Sequence, residues 1–323
     1  MNGKQEFSEY QSMMSFNCKE CNESFDSLKS LHHHFKKHDM MLGDYYVKHY
    51  PRFNKLTNVP IQFKTYEDYM ERDFATYDQL VEWCDTANQE EVGAYILSLL
   101  KKRIEKKGLD YGPCSTELFT SDLPPIRVYK RIFGSYKKVC DECGVKPMFG
   151  SNLPQEFHND YRDVKILIDT REQQPLKFRY SAPLKLDVGD YAVTSENFKY
   201  TYADRKSFSD FCSTLSAEYK RFVRELQRCR QSECFLFIVI ESDLHKMREI
   251  NKYAPKRFNL DYIFHNMKEL QRDFRDCCQF VFAKNRSSSQ ILIPKLLMLG
   301  PKIWNVDVQY FLDAGEMNYF EIK

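Results

Sequence analysis

A short polar stretch, YADRKSFSD at 202–210, holds residue types that could act on a phosphate ester. Asp204, Arg205 and Lys206 follow a strand-like aromatic run, and Asp210 stands at the start of a predicted helix. Side chains alternate between the two faces of a strand, so an acid and a lysine should share the face of the aromatic residues. The residues expected on this face are Phe198, Tyr200, Tyr202, Asp204 and Lys206.

Two further acids stand near the ends of other predicted strands. Asp169 ends the apolar run VKILID, and Asp190 lies in LKLDVGDYAV, which we interpret as one strand. Gly189, just before Asp190, leaves room for a close approach of another backbone. Ligand sites in open α/β sheets lie at strand ends, so we expect these carboxylates to converge near Lys206. The residues expected on one face of the second strand are Leu184, Leu186, Val188 and Asp190.

Converging carboxylates favour a bound cation. Two carboxylates ~5 Å apart repel each other by about 3 kcal/mol at an effective dielectric of ~20. Either one of them keeps a proton, or a divalent cation lies between them. Hard oxygen ligands suit Mg²⁺ or Mn²⁺, and such a metal activates water and stabilises charge on a phosphoryl oxygen. The pattern therefore predicts metal-dependent phosphodiester hydrolysis, and the alternative is a solvated charge patch.

The segment FNCKECNESFDSLKSLHHHFKKH has the ligand spacing of a zinc site and resembles a Cys2His2 zinc finger. Two cysteines on a hairpin and two histidines one helical turn apart can close a tetrahedral shell. Phe25 and Leu31 would form its small core, with His32 and His33 exposed, and zinc would supply folding free energy on the order of 10 kcal/mol. Such a helix often enters the DNA major groove, and a protein partner is the alternative. The four predicted ligands are Cys18, Cys21, His34 and His38.

Residues 64–150 are predicted to be a helical DNA-binding module. Asn88 is expected to cap one helix and Gly108 to end it. The stretch VYKRIFGSYKKVCDECGVKP resembles the helical repeat associated with homing endonucleases, which implies an accessory DNA-binding role. Basic residues interleaved with tyrosine suit phosphate contact, and the alternative is a solvated helical face. The predicted DNA contacts here are Lys130, Arg131, Lys137 and Lys138.

Cys140 and Cys143 also form a CxxC pair, which we expect to pack in the interior because no second ligand pair accompanies it.

The composition fits an intracellular protein of a reducing compartment. The 323 residues are 42% hydrophobic, carry a net charge of +2 and include eleven cysteines, which we expect in the core or on a metal. We find no apolar signal region near the first residue, and the longest apolar run, 234–240, falls short of the ~18–20 residues of a membrane-spanning helix. The expected compartment is the nucleus in a eukaryote and the cytoplasm in a bacterium or phage.

The chain divides into five predicted segments. Apolar strand-like runs alternate with amphipathic helices from residue 161 onward, which is typical of an α/β domain with a mixed sheet. The predicted segments are a disordered start at 1–15, a zinc finger at 16–40, the helical module at 64–150, a linker at 151–160 and the α/β nuclease domain at 161–323.

The sequence GDYAV at 189–193, followed by DRKSFSDF at 204–211, resembles the XPF-type (xeroderma pigmentosum group F) structure-specific endonucleases. Their pattern is Gly-Asp, a spacer, Glu-Arg-Lys, three residues and Asp. LIDTRE, YKRF and FIVIES stand in the expected order, so the resemblance covers about residues 163–300. It implies a PD-(D/E)xK, restriction-endonuclease-like fold, magnesium, and cleavage of branched, flap or otherwise structured DNA in repair, recombination or replication.

Carried over by position, the resemblance makes Asp190 and Asp204 metal ligands and Lys206 the catalytic lysine. Asp169 would assist the metal. This sequence has Asp204 where the family has glutamate, so the strand must bring a shorter acid closer to the metal.

The resemblance also assigns roles around this centre. Arg205 would support the site or the scissile phosphate, Asp210 would cap the following helix or complete the site, and Arg221 would contact DNA. It further implies a homo- or heterodimer through the nuclease domain. Only a short segment follows Lys302, so we expect no tandem helix-hairpin-helix there, and the finger and basic helices would supply the grip on DNA.

Two other functional interpretations stay open at this point. One is a catalytically silent DNA-binding protein on a nuclease-like scaffold. The other is a zinc-finger regulator with an unrelated α/β domain, which would show no metal-dependent cleavage.

Overall fold

The computed structural model describes residues 16–254 and 257–316, which form two compact units divided between Ile96 and Leu97. The predicted disordered segment 1–15 lies outside the described residues. The elements of the first unit are β1 Phe16–Asn17, β2 Ser24–Phe25, α1 Leu28–His34, α2 Leu42–His49, α3 Tyr66–Glu71, α4 Tyr77–Thr86 and α5 Gln89–Lys107, which continues into the second unit.

The second unit contains short helices followed by the large sheet and its covering helices. Its first elements are β3 Tyr111–Gly112, α6 Ser115–Thr120, α7 Ile126–Phe133, α8 Tyr136–Glu142, β4 Lys146–Pro147, β5 Lys165–Asp169, β6 Tyr180–Leu184, β7 Tyr191–Val193 and β8 Thr201–Lys206. The elements that follow are α9 Phe208–Thr214, α10 Tyr219–Gln231, β9 Phe235–Ile240, α11 Met247–Tyr253, α12 Leu260–Asp273, β10 Cys278–Phe282, α13 Arg286–Leu299, α14 Pro301–Trp304 and α15 Val308–Asp313.

The ends of α5 follow the predicted capping. The Asn88 Oδ1 accepts hydrogen bonds from the Glu90 and Glu91 N–H groups at 2.9 and 3.3 Å, which satisfies first-turn donors. Gly108, directly after the last helical residue, has φ +59°, a conformation that glycine adopts at little cost. The predicted start and end of this helix are confirmed.

Two helices, α7 and α8, meet at Gly134. Gly134 ends α7 with φ +82°, and the Ser135 Oγ accepts a hydrogen bond from the Lys138 N–H at 3.2 Å to cap α8. Cys140 is fully buried, and a Cβ on Gly112 would lie 2.2 Å from its Sγ. Cys140 is therefore a packing residue, as expected of this CxxC.

Within the described residues, six strands form one mixed sheet in the order β10-β9-β8-β7-β5-β6. β8, β9 and β10 are parallel, β7 runs antiparallel to β8 and β5, and β6 is parallel to β5. Every residue of β9 and β10 is buried, because helices cover both faces of the sheet. α10 and α12 contribute to the core on one face and α13 to the core on the other. This is the predicted mixed α/β fold.

The expectation of one strand across LKLDVGDYAV is wrong. β6 ends at Leu184, residues 185–190 are irregular, and β7 begins at Tyr191. β6 and β7 pair with opposite sides of β5, so the chain between them must cross that strand's end. An unbroken strand could not make this passage.

The aromatic run before Asp204 is shorter as a strand than expected. β8 begins at Thr201, and Tyr200 has φ +53° and is 60% exposed. The left-handed backbone at Tyr200 interrupts the alternation, so Phe198 and Tyr200 do not extend the β8 face. Tyr202, Asp204 and Lys206 alone keep it.

The segment 151–160 is packed against the second unit. Phe157 is buried in the core on the α13 side of the sheet. The buried Lys295 donates hydrogen bonds to the Phe157 and Asn159 carbonyls at 2.5 and 3.0 Å. This segment therefore contributes core contacts, while the predicted domain boundaries stay predictions.

None of the helices in the described part of the chain has the length and apolar character needed to span a bilayer.

Candidate active site

The predicted acids Asp169, Asp190 and Asp204 stand with Lys206 at the edge of the sheet where β5, β8 and β9 end. The Asp169 N–H donates to the Asp190 carbonyl at 2.8 Å, and the Asp190 N–H donates to the Ala203 carbonyl at 2.9 Å. Gly189 has φ +64°, and a Cβ there would lie 2.9 Å from the Ala203 carbonyl oxygen. The close backbone approach predicted at Gly189 is present, and it brings Asp190 beside β8.

Asp204 and Lys206 form an ion pair on one face of β8. The Lys206 Nζ lies 2.9 Å from Oδ1 and 2.6 Å from Oδ2 of Asp204. The side chains are 5% and 12% exposed, and the Phe222 ring of α10 lies 5.8 Å from the Nζ. Burial alone would lower the pKa of Lys206, but the Asp204 and Asp190 carboxylates raise it, so the ammonium form is favoured.

Asp190 faces the same ion pair. Its Oδ2 accepts a hydrogen bond from the Arg205 N–H at 2.8 Å. Burial raises the pKa of Asp190 to about 9, and the Asp204 carboxylate adds to the rise, while Lys206 lowers it. Two carboxylates thus share one lysine in an environment that disfavours charge.

Glu225 of α10 is a third carboxylate near this place, and it was not predicted from the sequence. It is half-buried and accepts a hydrogen bond from the Gly189 N–H. Burial raises the pKa of Glu225, and Asp204 raises it further. The only sequence signal was an acid beside the apolar stripe of an amphipathic helix, which does not distinguish a site residue from a surface one.

The Asp169 carboxylate is engaged within its own loop. It accepts hydrogen bonds from the N–H and guanidinium of Arg171 and from the Leu186 N–H, at 2.7 to 2.9 Å. The Arg171 guanidinium is the main reason that the pKa of Asp169 falls to about 2. The structure therefore places Asp169 as an anchor for the loop that leads to Asp190.

Arg205 is held by two glutamates. Its guanidinium donates to Glu172 at 3.1 Å and to Glu241 at 3.0 Å, and these three side chains are at most 10% exposed. Arg286, at the start of α13, also pairs with Glu241 at 3.3 Å. This network joins the ends of β5, β8 and β9, and it holds the strand that presents the Arg205 N–H to Asp190.

Asp210 and Arg221 lie outside the carboxylate cluster. The Ser207 Oγ donates to the Asp210 Oδ2 at 2.7 Å and accepts from the Asp210 N–H at 3.2 Å, which caps α9. Arg221 pairs with Glu218 and is 60% exposed, and the charges of Glu225 and Asp204 act on it. Of the two predicted roles for Asp210, the structure shows the cap.

The four basic residues predicted to contact DNA differ in their surroundings. The Lys130 Nζ donates to the Tyr310 hydroxyl at 2.7 Å and lies over its ring, so this lysine is engaged in packing. Lys137 pairs with Asp141 at 3.0 Å on the surface. Arg131 and Lys138 are exposed. Contact of this surface with DNA stays a prediction.

The four predicted zinc ligands meet in the first unit, with all their ligand atoms within 4.8 Å of one another. Three distances join them: Cys18 Sγ to His38 Nε2 is 3.5 Å, Cys21 Sγ to His34 Nε2 is 3.2 Å, and the two Nε2 atoms are 3.0 Å apart. Tetrahedral zinc with its usual bond lengths needs separations of about 3.3–3.6 Å between such atoms. The donor set and the spacing therefore fit zinc.

The finger helix is part of a larger core than a lone finger would have. Leu31 and Phe35 are 1% exposed and pack with buried tyrosines of α2, and the Phe35 ring stacks on Tyr45 at 3.8 Å. His32 was expected to be exposed, but it is half-buried and its Nε2 lies 2.9 Å from the Tyr46 hydroxyl. The reason for this difference is the packing of α2 against this side of α1.

One part of the chain is similar to a known protein family. Residues 168–296 match the family described as the ERCC4 domain. No curated protein matches the chain.

Among the solved structures that are similar to part of the chain are two of XPF from Aeropyrum pernix, one of them in complex with DNA. Each is 20% identical with a TM-score of 0.33; they cover 42% and 43% of this chain. The chain spans 64% of the length of the DNA-bound one and 67% of the other. The match to the ERCC4 domain lies within the second unit, on the residues that form most of its mixed sheet.

Proposed function

We propose that the chain is an endonuclease that uses a divalent metal to hydrolyse phosphodiester bonds in DNA. The observation that carries this proposal is the group formed by Asp190, Asp204 and Lys206 at the end of β8, within the ERCC4 domain. Facing carboxylates destabilise the folded state. A DNA-binding protein without catalytic activity has no physical reason to keep them.

The donor set suits Mg²⁺ or Mn²⁺. Burial raises the pKa of Asp190 and the Asp204 carboxylate adds to the rise, and a divalent cation would let both acids ionise. Asp190 and Asp204 would hold it through oxygen, with Glu225 close by as a further acid. The bound cation would polarise a phosphoryl oxygen and make water more acidic.

The proposed reaction is the attack of water on phosphorus. A water oxygen forms a bond to phosphorus as the bond to the leaving oxygen breaks; the water loses a proton to solvent and the leaving oxygen gains one. The Lys206 ammonium orients the water and offsets the extra negative charge on the phosphate. Asp169 and Arg205 act as positioning residues, because their side chains are committed to Arg171 and to the two glutamates.

The finger is proposed to contact DNA with the outward face of α1. Lys29, Ser30 and His33 are exposed on this face, whereas Leu31 and Phe35 are covered by the core of the first unit. A Cys2His2 finger reads bases from residues near the start of its helix and one or two turns further on. The exposed face is thus the one that such a contact requires.

We further propose that the substrate is branched, flap or otherwise structured DNA, cut in repair, recombination or replication. This rests on the XPF-type domain. A homo- or heterodimer through the nuclease domain and an accessory role of the helices around Gly134 belong to the same proposal. The second candidate function is a DNA-binding protein that lacks cleavage.

A cleavage assay distinguishes these functions. Purified protein is incubated with end-labelled flap, fork, four-way junction, linear duplex and single-stranded DNA, with Mg²⁺ or with a chelator. We expect Mg²⁺-dependent cleavage that favours a branched substrate. Binding without cleavage on every substrate would support the second candidate, and equal cleavage of all substrates would contradict the proposed structural preference.

A further inference from the structure

We propose that the outer face of α10 is a phosphate-binding surface that holds an arm of the DNA duplex beside the cleavage site. The surface consists of Lys220, Arg224 and Arg228, and we call it the α10 basic row. This inference rests on the proposed nuclease function and adds the path of the substrate.

Helical geometry places the α10 basic row on the side of the helix that faces away from the core. Phe222, Leu226 and Cys229 of α10 are fully buried. Residues four apart on a helix are neighbours on its surface, so Lys220, Arg224 and Arg228 form a continuous stripe. All members of this stripe are exposed. The stripe is about 12 Å long at 1.5 Å per residue.

The α10 basic row keeps its positive charge free of carboxylates. Arg221 and Arg230, on the flanks of the same helix, pair with Glu218 and Asp276. Within the described part of the chain, no ion pair involves a member of the row. A shallow groove of about 470 Å³ runs beside it, and its lining residues are Tyr219, Lys220, Val223, Arg224 and Gln227. This lining offers cations, an amide and a tyrosine but no acid.

The row lies next to the catalytic carboxylates. Successive helical residues are about 100° apart, so Arg221 and Glu225 occupy the flank directly beside Lys220 and Arg224. Glu225 on that flank reaches the Gly189 N–H, next to Asp190. A strand whose phosphate lies at Asp190 and Asp204 therefore continues past the row.

The chemistry of the surface fits a polyphosphate backbone. Duplex DNA carries one negative charge per ~1.7 Å of axis, so a ~12 Å stripe faces several phosphates. Arginine and lysine contacts of this kind are independent of base sequence and weaken as salt displaces them. The α10 basic row would therefore recognise the position of the DNA backbone and not its base sequence.

The test compares two double variants of the full chain. Arg224→Ala with Arg228→Ala removes two charges from the row, and Lys165→Ala with Lys177→Ala removes two exposed lysines on a different part of the domain. Affinity for a labelled DNA duplex is measured by fluorescence anisotropy across a salt series. We expect the log–log salt slope to flatten by about 1.8 in the first variant, at ~0.9 per lost contact, and to stay near the wild-type value in the second.

A second pair of substitutions guards against loss of fold. Arg224→Gln with Arg228→Gln keeps long polar side chains, and it should flatten the slope equally while the melting temperature stays unchanged. Equal slopes in the row and control variants would overturn the proposal, as would a stronger effect on an RNA duplex than on a DNA duplex. A wild-type chain that never cleaves DNA, yet shows the predicted slopes, would refute the nuclease proposal and leave the surface standing.

Discussion

Arg205 belongs to the site through its backbone and through the charges that fix it. Its guanidinium spans Glu172 and Glu241, while its N–H donates to Asp190. Lysine keeps the charge but has no planar fork, so it cannot satisfy both glutamates. Substitution of Arg205 therefore tests whether its side chain positions the end of β8 or contacts the phosphate of DNA.

We expect Arg205→Lys to lower the free energy of unfolding by about 2–4 kcal/mol, because one enclosed carboxylate loses its partner. Cleavage should slow while affinity for DNA is kept. Chemical denaturation, single-turnover cleavage and anisotropy measure these three quantities. Weaker DNA binding with an unchanged cleavage rate would show that Arg205 contacts the phosphate instead.

Asp204 is the position where this chain departs from the family glutamate. The side chain is buried, and both of its oxygens contact Lys206. We expect Asp204→Glu to slow cleavage, because the added methylene displaces the carboxylate and overpacks the site by about 1–3 kcal/mol. Asp210→Glu makes the same chemical change at an exposed cap and should cleave normally. Faster cleavage by Asp204→Glu would contradict this reasoning.

At the scale of elements, the turn before β7 decides where Asp190 lies. Gly189 is in the left-handed region, and Ala203 and Leu236 leave no space for a side chain there. Alanine would cost about 1–2 kcal/mol for the backbone alone, and the 2.9 Å contact adds to this cost. Glycine at position 189 therefore permits both the turn and the position of Asp190 in the site.

Gly189→Ala should therefore lower stability by more than about 2 kcal/mol and impair cleavage, because it pushes Asp190 away from β8. Gly144→Ala is the matched control, since Gly144 has φ +74° and no atom within 4 Å of an added Cβ. Denaturant unfolding and cleavage rates measure both effects. Equal losses in the two variants would mean that close packing at Gly189 has no special role.

Sequence patterns predicted the regular elements better than the connection that builds the site. The apolar runs of β5 and β9 are strands because burial on both faces selects such runs. Residues 185–190 kept the alternation of a strand, since Leu186 and Val188 are buried, yet they form an irregular crossing. Alternation reports burial on one side and not backbone pairing, so the break could not be predicted.

The same limit applies to Glu225. Its place in the site depends on how α10 rotates over the sheet, which the packing of Phe222 and Leu226 decides in three dimensions. In contrast, the four zinc ligands were predictable because a metal fixes both residue type and spacing.

At the scale of the whole molecule, the zinc shell supports more of the chain than a lone finger. Leu31 and Phe35 share one core with Tyr45, Tyr46 and Tyr69. Loss of the metal should therefore loosen the first unit well beyond the finger. The proposed catalytic residues all lie in the second unit, and none of them is a zinc ligand.

We expect Cys18→Ser to remove zinc and to expose the first unit up to about residue 96, while the second unit keeps its protection. Hydrogen exchange by mass spectrometry measures both units, and metal analysis measures zinc. Cys84→Ser, a buried cysteine of the same unit outside the shell, should keep zinc and protection. Exchange confined to 16–38 would show that the finger folds separately after all.

Substitution of Asp190 tests whether Asp190 and Asp204 form a metal-dependent catalytic site. Wild-type protein and Asp190→Asn are compared for cleavage of a labelled flap in Mg²⁺, with affinity measured in chelator. We expect cleavage by the wild type alone and equal or tighter DNA binding by the variant. Without metal the variant should also be more stable by about 1–3 kcal/mol, because the neutral amide removes the cost of protonating or burying the Asp190 carboxyl beside Asp204. Cleavage by Asp190→Asn at the wild-type rate would show that Asp190 is not part of a catalytic metal site.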